Sequence, residues 1–198
     1  MFLRNLRPEP VVWGIVGLNG GIYALWNIPE FRQTMMDHFA LSWRNIESGR
    51  FWTALTSSFS HMTLSHLAFN MIAFSSIGIP LAQSLGVATL VKVYIASGLA
   101  CSACFLAWDA LNRKSNVVSI GASGSVSGLM VLYAMLMPQS RFLIFYVLPI
   151  RAPVAVGMFF AVDLLNLATG ARQDISSAGH IGGALYGLYF ARKLLTRF

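Results

Sequence analysis

Long apolar stretches, separated by short polar segments, dominate this sequence and restrict what it can fold into. Six of them cover about residues 11–26, 55–77, 87–108, 120–137, 152–167 and 178–195. An α-helix needs about 20 apolar residues to cross the hydrocarbon core of a bilayer. The stretches are continuously apolar, whereas the strands of a membrane barrel alternate. The sequence therefore predicts an all-α, polytopic membrane protein with six transmembrane helices, forming a single membrane domain over residues 1–198.

The charged residues fit this class and argue against a nucleic-acid-binding protein. Only 11% of the residues are charged, whereas a soluble domain carries about 25%. The net charge is +7, but no Lys/Arg cluster is interleaved with aromatic residues, so nucleic acid is not an expected partner. The lipid bilayer is, and the basic residues are expected to report topology.

Six spans place both termini on one side of the membrane, here called side A, and the opposite side is called side B. Side A and its helix ends hold eight basic residues: Arg4, Arg7, Lys92, Arg141, Arg151, Arg192, Lys193 and Arg197. Side B holds six: Arg32, Arg44, Arg50, Arg113, Lys114 and Arg172. This difference weakly favours side A as the inner side.

Residues 27–50 form the longest polar stretch, in which charged and apolar residues are mixed. Such a mixture is typical of amphipathic segments that lie in the membrane interface. Trp43 and Trp52 suit the level of the lipid headgroups.

Cys101 and Cys104 form a C-x-x-C pair inside an apolar stretch. Redox or metal chemistry needs an accessible thiolate and usually further ligands. We therefore interpret both cysteines as small buried side chains, and we expect no metal and no organic cofactor.

The segment Ser119–Met130 reads SIGASGSVSGLM and leads from a polar loop into the fourth apolar stretch. A helix that starts here holds Ser123 in its first turn, just inside the membrane. Gly121, Gly124 and Gly128 leave one face bare, so that another backbone or a substrate can approach closely. Small residues at helix contacts would explain the serines and glycines equally well.

Depth in the membrane distinguishes these two interpretations. His66 and Asn70 lie in the first half of the second span, Ser123 opens the fourth, and His180 opens the sixth. All three spans enter from side B, so at ~1.5 Å per residue the four side chains lie at similar depth. His66 and Asn70 also share one helix face because they are four residues apart. Intramembrane His and Asn either pair with each other or mark a functional site.

These four residues make a coherent chemical set. Ser123 is the candidate nucleophile and His180 the candidate general base. The Ser123 N–H group and the side chains of His66 and Asn70 are the candidate oxyanion donors. Gly183 and Gly187 lie at the spacing of close helix contacts, so the glycine faces of the fourth and sixth spans should bring Ser123 and His180 together.

Asp163 is the acidic residue that lies inside a predicted span, late in the fifth. Asp163 could face the cavity, but a structural hydrogen bond or an interfacial position is the favoured interpretation of this residue. We therefore predict a Ser–His dyad without an orienting carboxylate.

These motifs resemble those of the rhomboid intramembrane serine proteases. The resemblance rests on Gly121-Ala122-Ser123-Gly124, on the His66-x-x-x-Asn70 pair and on Gly179-His180-x-Gly182-Gly183, and it covers about residues 23–195. It implies that Ser123 is the nucleophile, His180 the base, and His66 and Asn70 oxyanion contributors. It also implies substrates that are single-pass transmembrane proteins.

Several further segments are most similar to the mitochondrial, presenilin-associated rhomboid-like branch. They are residues 26–39, 70–76, 148–149 and 177–187. The resemblance implies the mitochondrial inner membrane, with a bacterial inner membrane as the alternative. The N-terminus is short and basic, and we interpret it as a charged flank. Relatives in this branch often carry a presequence and an extra N-terminal span.

The sequence departs from the bacterial pattern of this family at two places. Trp52-Thr53 stands where many bacterial members have Trp-Arg, so the interfacial segment is expected to be anchored differently. Ser127 stands where some bacterial members have a tyrosine that stacks on the base histidine.

Two other functions remain open at this point. A non-proteolytic rhomboid-like protein would bind and escort transmembrane segments, but such proteins typically lack the serine or the histidine. A small transporter or channel would line a polar path with His61, His66 and Asn70, but it would need polar residues through the whole bilayer.

Overall fold

The computed structural model describes residues 6–112, 117–144, 147–169 and 177–196. Five long helices and one shorter helix carry the apolar stretches: α1 (Pro8–Trp26), α5 (Leu64–Leu85), α6 (Val87–Asn112), α7 (Ser123–Leu136), α8 (Ala152–Thr169) and α9 (Ser177–Leu195). Five of the basic residues that we counted on sides A and B lie outside the described ranges: Arg4, Arg113, Lys114, Arg172 and Arg197.

The helices confirm the all-α membrane class. Among the described residues, α5, α6 and α8 are long and apolar enough to cross a bilayer, and α1 joins them if it is counted with its bent continuation up to Phe39. Helix α7 is apolar but shorter. The count of six spans and the extent of the domain stay predictions.

The second apolar stretch differs most from its predicted bounds. We predicted a span over residues 55–77, whereas α5 begins at Leu64 and ends at Leu85. It begins there because the Thr63 hydroxyl caps it, accepting a hydrogen bond from the His66 N–H at 3.2 Å. Pro80 lies inside this helix, and the chain turns at Gly86, with φ at 84°.

Residues 29–59 fold into short helices that connect α1 to α5. They are a 3-10 turn (Pro29–Phe31), α2 (Arg32–Phe39), α3 (Trp43–Glu47), α4 (Thr53–Thr56) and a second 3-10 turn (Ser57–Phe59). The chain bends by 94° between α1 and the stretch Pro29–Phe39.

Asn45 holds this connecting segment together. Its buried amide donates to the carbonyl oxygens of Met36 and Ala40, both at 2.8 Å, and its oxygen accepts from Arg50 at 3.1 Å. Arg50 also pairs with Asp37 at 3.6 Å. The hydrogen bond from Gln33 lowers the pKa of Asp37 below its ordinary value, and Arg50 adds to this effect.

Helices α6, α7 and α9 pack most closely and form the centre of the bundle. A Cβ atom at Gly183 would overlap the Gly124 carbonyl oxygen, and one at Gly187 would overlap the Gly128 carbonyl oxygen. The glycine faces of α7 and α9 are therefore in backbone contact, as the sequence indicated for Gly124, Gly128, Gly183 and Gly187.

Helix α6 fills the remaining gaps of this centre with small side chains. Cys101 packs against Gly124, Cys104 against Gly182, and Ser97 against Gly128. Both cysteines are free thiols, and Cys101 is buried. Their contacts are those of the small packing side chains that we predicted.

A two-stranded hairpin between α7 and α8 was not predicted. Strand β1 (Arg141–Ile144) pairs antiparallel with β2 (Leu148–Arg151), with Arg141 opposite Arg151 and Phe142 opposite Ile150. Phe142 stacks on Tyr133 of α7, with ring centroids 5.5 Å apart, which fixes one face of the hairpin to the bundle.

The close contact of α7 and α9 predicts a large difference between two glycine substitutions. Gly187→Ala should lower the free energy of unfolding by roughly 1–3 kcal/mol, since its Cβ must push two backbones apart. Gly157→Ala on α8 is the matched control, because open space surrounds its position. It should be neutral or stabilise the protein by about 0.4–1 kcal/mol. Thermal unfolding in detergent measures both changes, and equal effects would contradict the packing described.

Candidate active site

The turn before Ser123 is held by backbone contacts from the connecting segment. Leu41 and Ser119 exchange two hydrogen bonds, at 3.0 and 2.8 Å, and the Gly121 N–H donates to the Ser57 carbonyl at 2.9 Å. Gly121 has a φ of 130°, a backbone conformation that side chains rarely adopt. It lies before α7, and a Cβ there would come within 2.6 Å of the His66 ring. Its role is thus to let His66 approach the turn, whereas we had placed it on the helix contact.

Ser123 is the first residue of α7. The N–H groups in the first turn of a helix have no acceptor within the helix, and the positive end of the helix dipole lies there. Ala122 precedes the helix and provides no side-chain cap. Negative charge that develops beside the Ser123 hydroxyl is therefore favoured by the local backbone.

His180 contacts Ser123, as predicted. Its Nε2 atom lies 2.9 Å from the Ser123 hydroxyl oxygen. Ser123 opens α7 and His180 is in the first turn of α9. The two helices can approach to this distance because of their glycine contacts.

Asp163 completes this chain of contacts, in a place where we had predicted no orienting carboxylate. Its carboxylate oxygens lie 3.1 and 3.2 Å from His180 Nδ1, and the two side chains are buried. An aspartate at Nδ1 fixes the tautomer in which Nε2 is free to accept a proton. The three side chains thus form a Ser–His–Asp chain of contacts, whereas we had expected no carboxylate beside His180.

Helix α8 makes a second contact with the same imidazole. Phe159, one turn before Asp163, lies with its ring centroid 5.6 Å from that of His180 at an angle of 39°. Ser127, at the position where some bacterial rhomboids carry a stacking tyrosine, is small and buried. The aromatic contact on His180 therefore comes from α8.

His66 and Asn70 line the same cavity as Ser123 and His180. The Asn70 amide donates one hydrogen bond to the His66 carbonyl at 2.8 Å. An NH₂ group has two donors, so the second N–H remains for another acceptor. The predicted oxyanion pair is thus brought to the site, with Asn70 buried and His66 half-buried.

A cavity of about 940 Å³ surrounds these side chains. Its walls combine polar groups, among them His66, Asn70, Ser123, Asp163 and His180, with large apolar side chains. The apolar lining comes from four helices and the loop before α5, and it includes Met62, Phe69, Phe105, Met130, Phe159 and Val162. Such a cavity suits an apolar peptide segment that carries one polar group, such as a backbone carbonyl.

His61 contacts the turn that precedes Ser123, and we did not predict it as a site residue. Its Nε2 atom accepts a weak hydrogen bond of 3.4 Å from the Ala122 N–H, and its ring meets the His66 ring edge-on with centroids 4.9 Å apart. It is fully buried. The only signal in the sequence was a third intramembrane histidine, which we had assigned to the alternative transporter path.

The Asp163 contact predicts the reactivity of Ser123. Asp163→Asn should lower the rate of Ser123 labelling by a fluorophosphonate probe roughly 10²-fold or more, because an orienting aspartate contributes up to about 10⁴ in Ser–His–Asp sites. Glu30→Gln is the control, since it removes an exposed carboxylate of the connecting segment. Equal labelling of the Asp163→Asn variant and the unchanged protein would show that the carboxylate does not orient His180.

Comparisons with known proteins agree with this geometry. The rhomboid domain family matches residues 48–197. RHOMBOID-like protein 12, mitochondrial, of Arabidopsis thaliana is 31% identical over 211 residues, covering 100% of this chain and 62% of the relative. Rhomboid protein 1, mitochondrial, of Saccharomyces cerevisiae is 30% identical over 195 residues, covering 95% of this chain and 55% of the relative.

The chain is also similar to a rhomboid-like protein of an animal. Presenilin-associated rhomboid-like protein, mitochondrial, of Mus musculus is 28% identical over 186 residues, covering 92% of this chain and 48% of the relative. The chain therefore spans about half to three fifths of the length of these relatives. The resemblance found in the sequence motifs is confirmed: the chain belongs to the rhomboid family, whose members are generally intramembrane proteases.

Proposed function

We propose that this protein is an intramembrane serine endopeptidase that cleaves peptide bonds in or near the transmembrane segments of membrane-anchored proteins. One observation carries the proposal: Ser123 Oγ lies 2.9 Å from His180 Nε2, and Asp163 lies on the other ring nitrogen. Membership of the rhomboid family supports it.

Ser123 is the nucleophile in the first half of the reaction. Its oxygen attacks the carbonyl carbon of the scissile bond while His180 Nε2 takes the hydroxyl proton. Asp163 stabilises the imidazolium that forms, without itself taking the proton. His180 then gives the proton to the leaving amine nitrogen, and an acyl ester on Ser123 remains.

The oxyanion of the tetrahedral intermediate lies at the N-terminus of α7. The Ser123 N–H, the free N–H of the Asn70 amide and the His66 ring are the donors. Donors that are fixed before the reaction begins need little reorganisation when the charge develops. Loss of one such donor typically lowers kcat by about 10²–10³.

Water completes the reaction through the same groups. His180 Nε2 takes a proton from a water molecule that enters the cavity, and the resulting hydroxide attacks the acyl carbon. The second tetrahedral intermediate collapses, His180 returns the proton to Ser123 Oγ, and the carboxylic acid product leaves.

The substrate is a single-pass transmembrane protein whose helix unwinds near the cut. A helical backbone hides its carbonyl groups in internal hydrogen bonds, which are costly to break in lipid. The apolar walls of the cavity suit such a segment, and the opening of its backbone is part of the barrier. Small or helix-breaking residues near the scissile bond are therefore favoured.

The mitochondrial inner membrane is the proposed location, with a bacterial inner membrane as the alternative. The three relatives described above are mitochondrial by name. The apolar helices support an integral membrane protein in either case.

Two substitutions test the catalytic roles. In liposomes that hold a reporter transmembrane substrate, Ser123→Ala and His180→Ala should each lower cleavage more than about 10³-fold, because such residues act as a unit. Ser125→Ala is the matched control: this serine is buried on α7, and its hydroxyl has no hydrogen-bond partner among the described residues. Full cleavage by the Ser123→Ala variant would refute the protease proposal and favour a non-proteolytic escort protein.

A second experiment tests the unwinding step. Replacing an alanine beside the scissile bond with glycine should raise the cleavage rate about fivefold, since glycine lowers helix stability by about 0.8–1.0 kcal/mol. The same replacement two turns further along the substrate is the control and should change the rate little. If both positions give the same increase, local opening at the cut is not what limits the reaction.

A further inference from the structure

The hairpin between α7 and α8 places two arginines directly opposite each other. Arg141 and Arg151 are partners in the register of β1 and β2, and both are exposed. Cβ atoms of directly opposite residues lie about 4.5–5.5 Å apart, and like charges at such positions destabilise the pair. The hairpin therefore carries an electrostatic cost at this rung.

No acidic side chain offsets this cost in the part of the chain that the structure describes. Two of the acidic residues pair elsewhere, Asp37 with Arg50 and Asp163 with His180. On side A, the carboxylate of Glu9 accepts a hydrogen bond from Gln83 at 3.3 Å. A negative charge from outside the chain would stabilise the arginine pair.

The surroundings of the pair combine cations with exposed apolar side chains. Alternation along the strands puts Leu143 on the face of Arg141, away from the Phe142 ring that packs on Tyr133. Leu143 is 60% exposed, and at the far end of the hairpin Val147 is 81% and Leu148 57% exposed. A surface that is cationic at its base and apolar beyond it fits the boundary between headgroups and hydrocarbon.

We propose that Arg141 and Arg151 together bind the phosphodiester group of an anionic phospholipid, whose acyl chains lie against the apolar side chains of the hairpin. Guanidinium groups bind phosphate oxygens in a bidentate way, and two of them can hold one phosphate between them. A headgroup with its own cation, such as phosphatidylcholine, leaves the two positive charges less fully compensated.

The topological bias of basic residues does not explain this arrangement. It accounts for arginines and lysines at this end of the bundle, including Arg192 and Lys193 in the last turn of α9. It does not account for two arginines that lie directly opposite each other on paired strands. Arg192 and Lys193 therefore provide a control that removes the same charge from the same side.

The test measures lipid-dependent stability, so its result does not depend on whether the protein is a protease. The purified full chain is placed in nanodiscs of phosphatidylcholine, with or without phosphatidylglycerol, and its Tm is recorded. Phosphatidylglycerol should raise the Tm by about 2–4 °C, as a ligand at several times its Kd does for a chain of this length. The double variant R141Q/R151Q should lose this increase, whereas R192Q/K193Q should keep it.

Two further measurements sharpen the assignment. In phosphatidylcholine alone, R141Q/R151Q should be at least as stable as the unchanged protein, because the repulsion between the arginines is gone. The variant R141K/R151K keeps the charge but loses bidentate contacts, and it should retain only part of the increase.

Three outcomes would overturn the proposal. The first is an equal loss of the increase in R141Q/R151Q and R192Q/K193Q, which would show a general charge effect. The second is an equal Tm in both lipid compositions. The third is a rise in Tm caused by inorganic phosphate in phosphatidylcholine nanodiscs and abolished in R141Q/R151Q, which would show a site for free anions.

Discussion

The backbone contact between α7 and α9 is the constraint on which the candidate site depends. Serine and histidine side chains are short, so their helices must come closer than ordinary side chains allow. Glycines at Gly124, Gly128, Gly183 and Gly187 remove the Cβ atoms that would keep the helices apart. In a membrane, where lipid tails are as apolar as the helices, close packing of this kind is a main source of helix association. Stability and the Ser123–His180 contact therefore have the same origin.

Helix α8 has a different character, although it also contacts His180. Few of its residues are buried, and Gly157 faces open space. Yet Asp163 and Phe159 both touch His180 from this helix. The contacts of His180 with Asp163 and Phe159 thus depend on an element that is packed more loosely than the α7–α9 centre. The contact of His180 with Ser123 comes from the close packing of α7 and α9.

The sequence predicted the parts of the site that depend on depth along a helix. Ser123, His180, His66 and Asn70 could be placed at similar depth because residue number converts to height in a span. Asp163 could not be assigned in this way, since its role depends on the rotation of α8 about its own axis. His61 lies in the loop before α5, where height cannot be counted from a helix end. The hairpin was missed because its strands are short and contain Pro149, which argues against a strand in sequence-based prediction.

The two hydrogen bonds between Leu41 and Ser119 have a consequence for how the surrounding membrane acts on this protein. Leu41 belongs to the connecting segment that Asn45 holds together, and Ser119 lies four residues before Ser123. These hydrogen bonds tie the short helices of that segment to the loop that leads into Ser123. A bilayer whose thickness displaced the segment along the membrane normal would therefore strain the backbone beside Ser123 without any lipid contacting that residue.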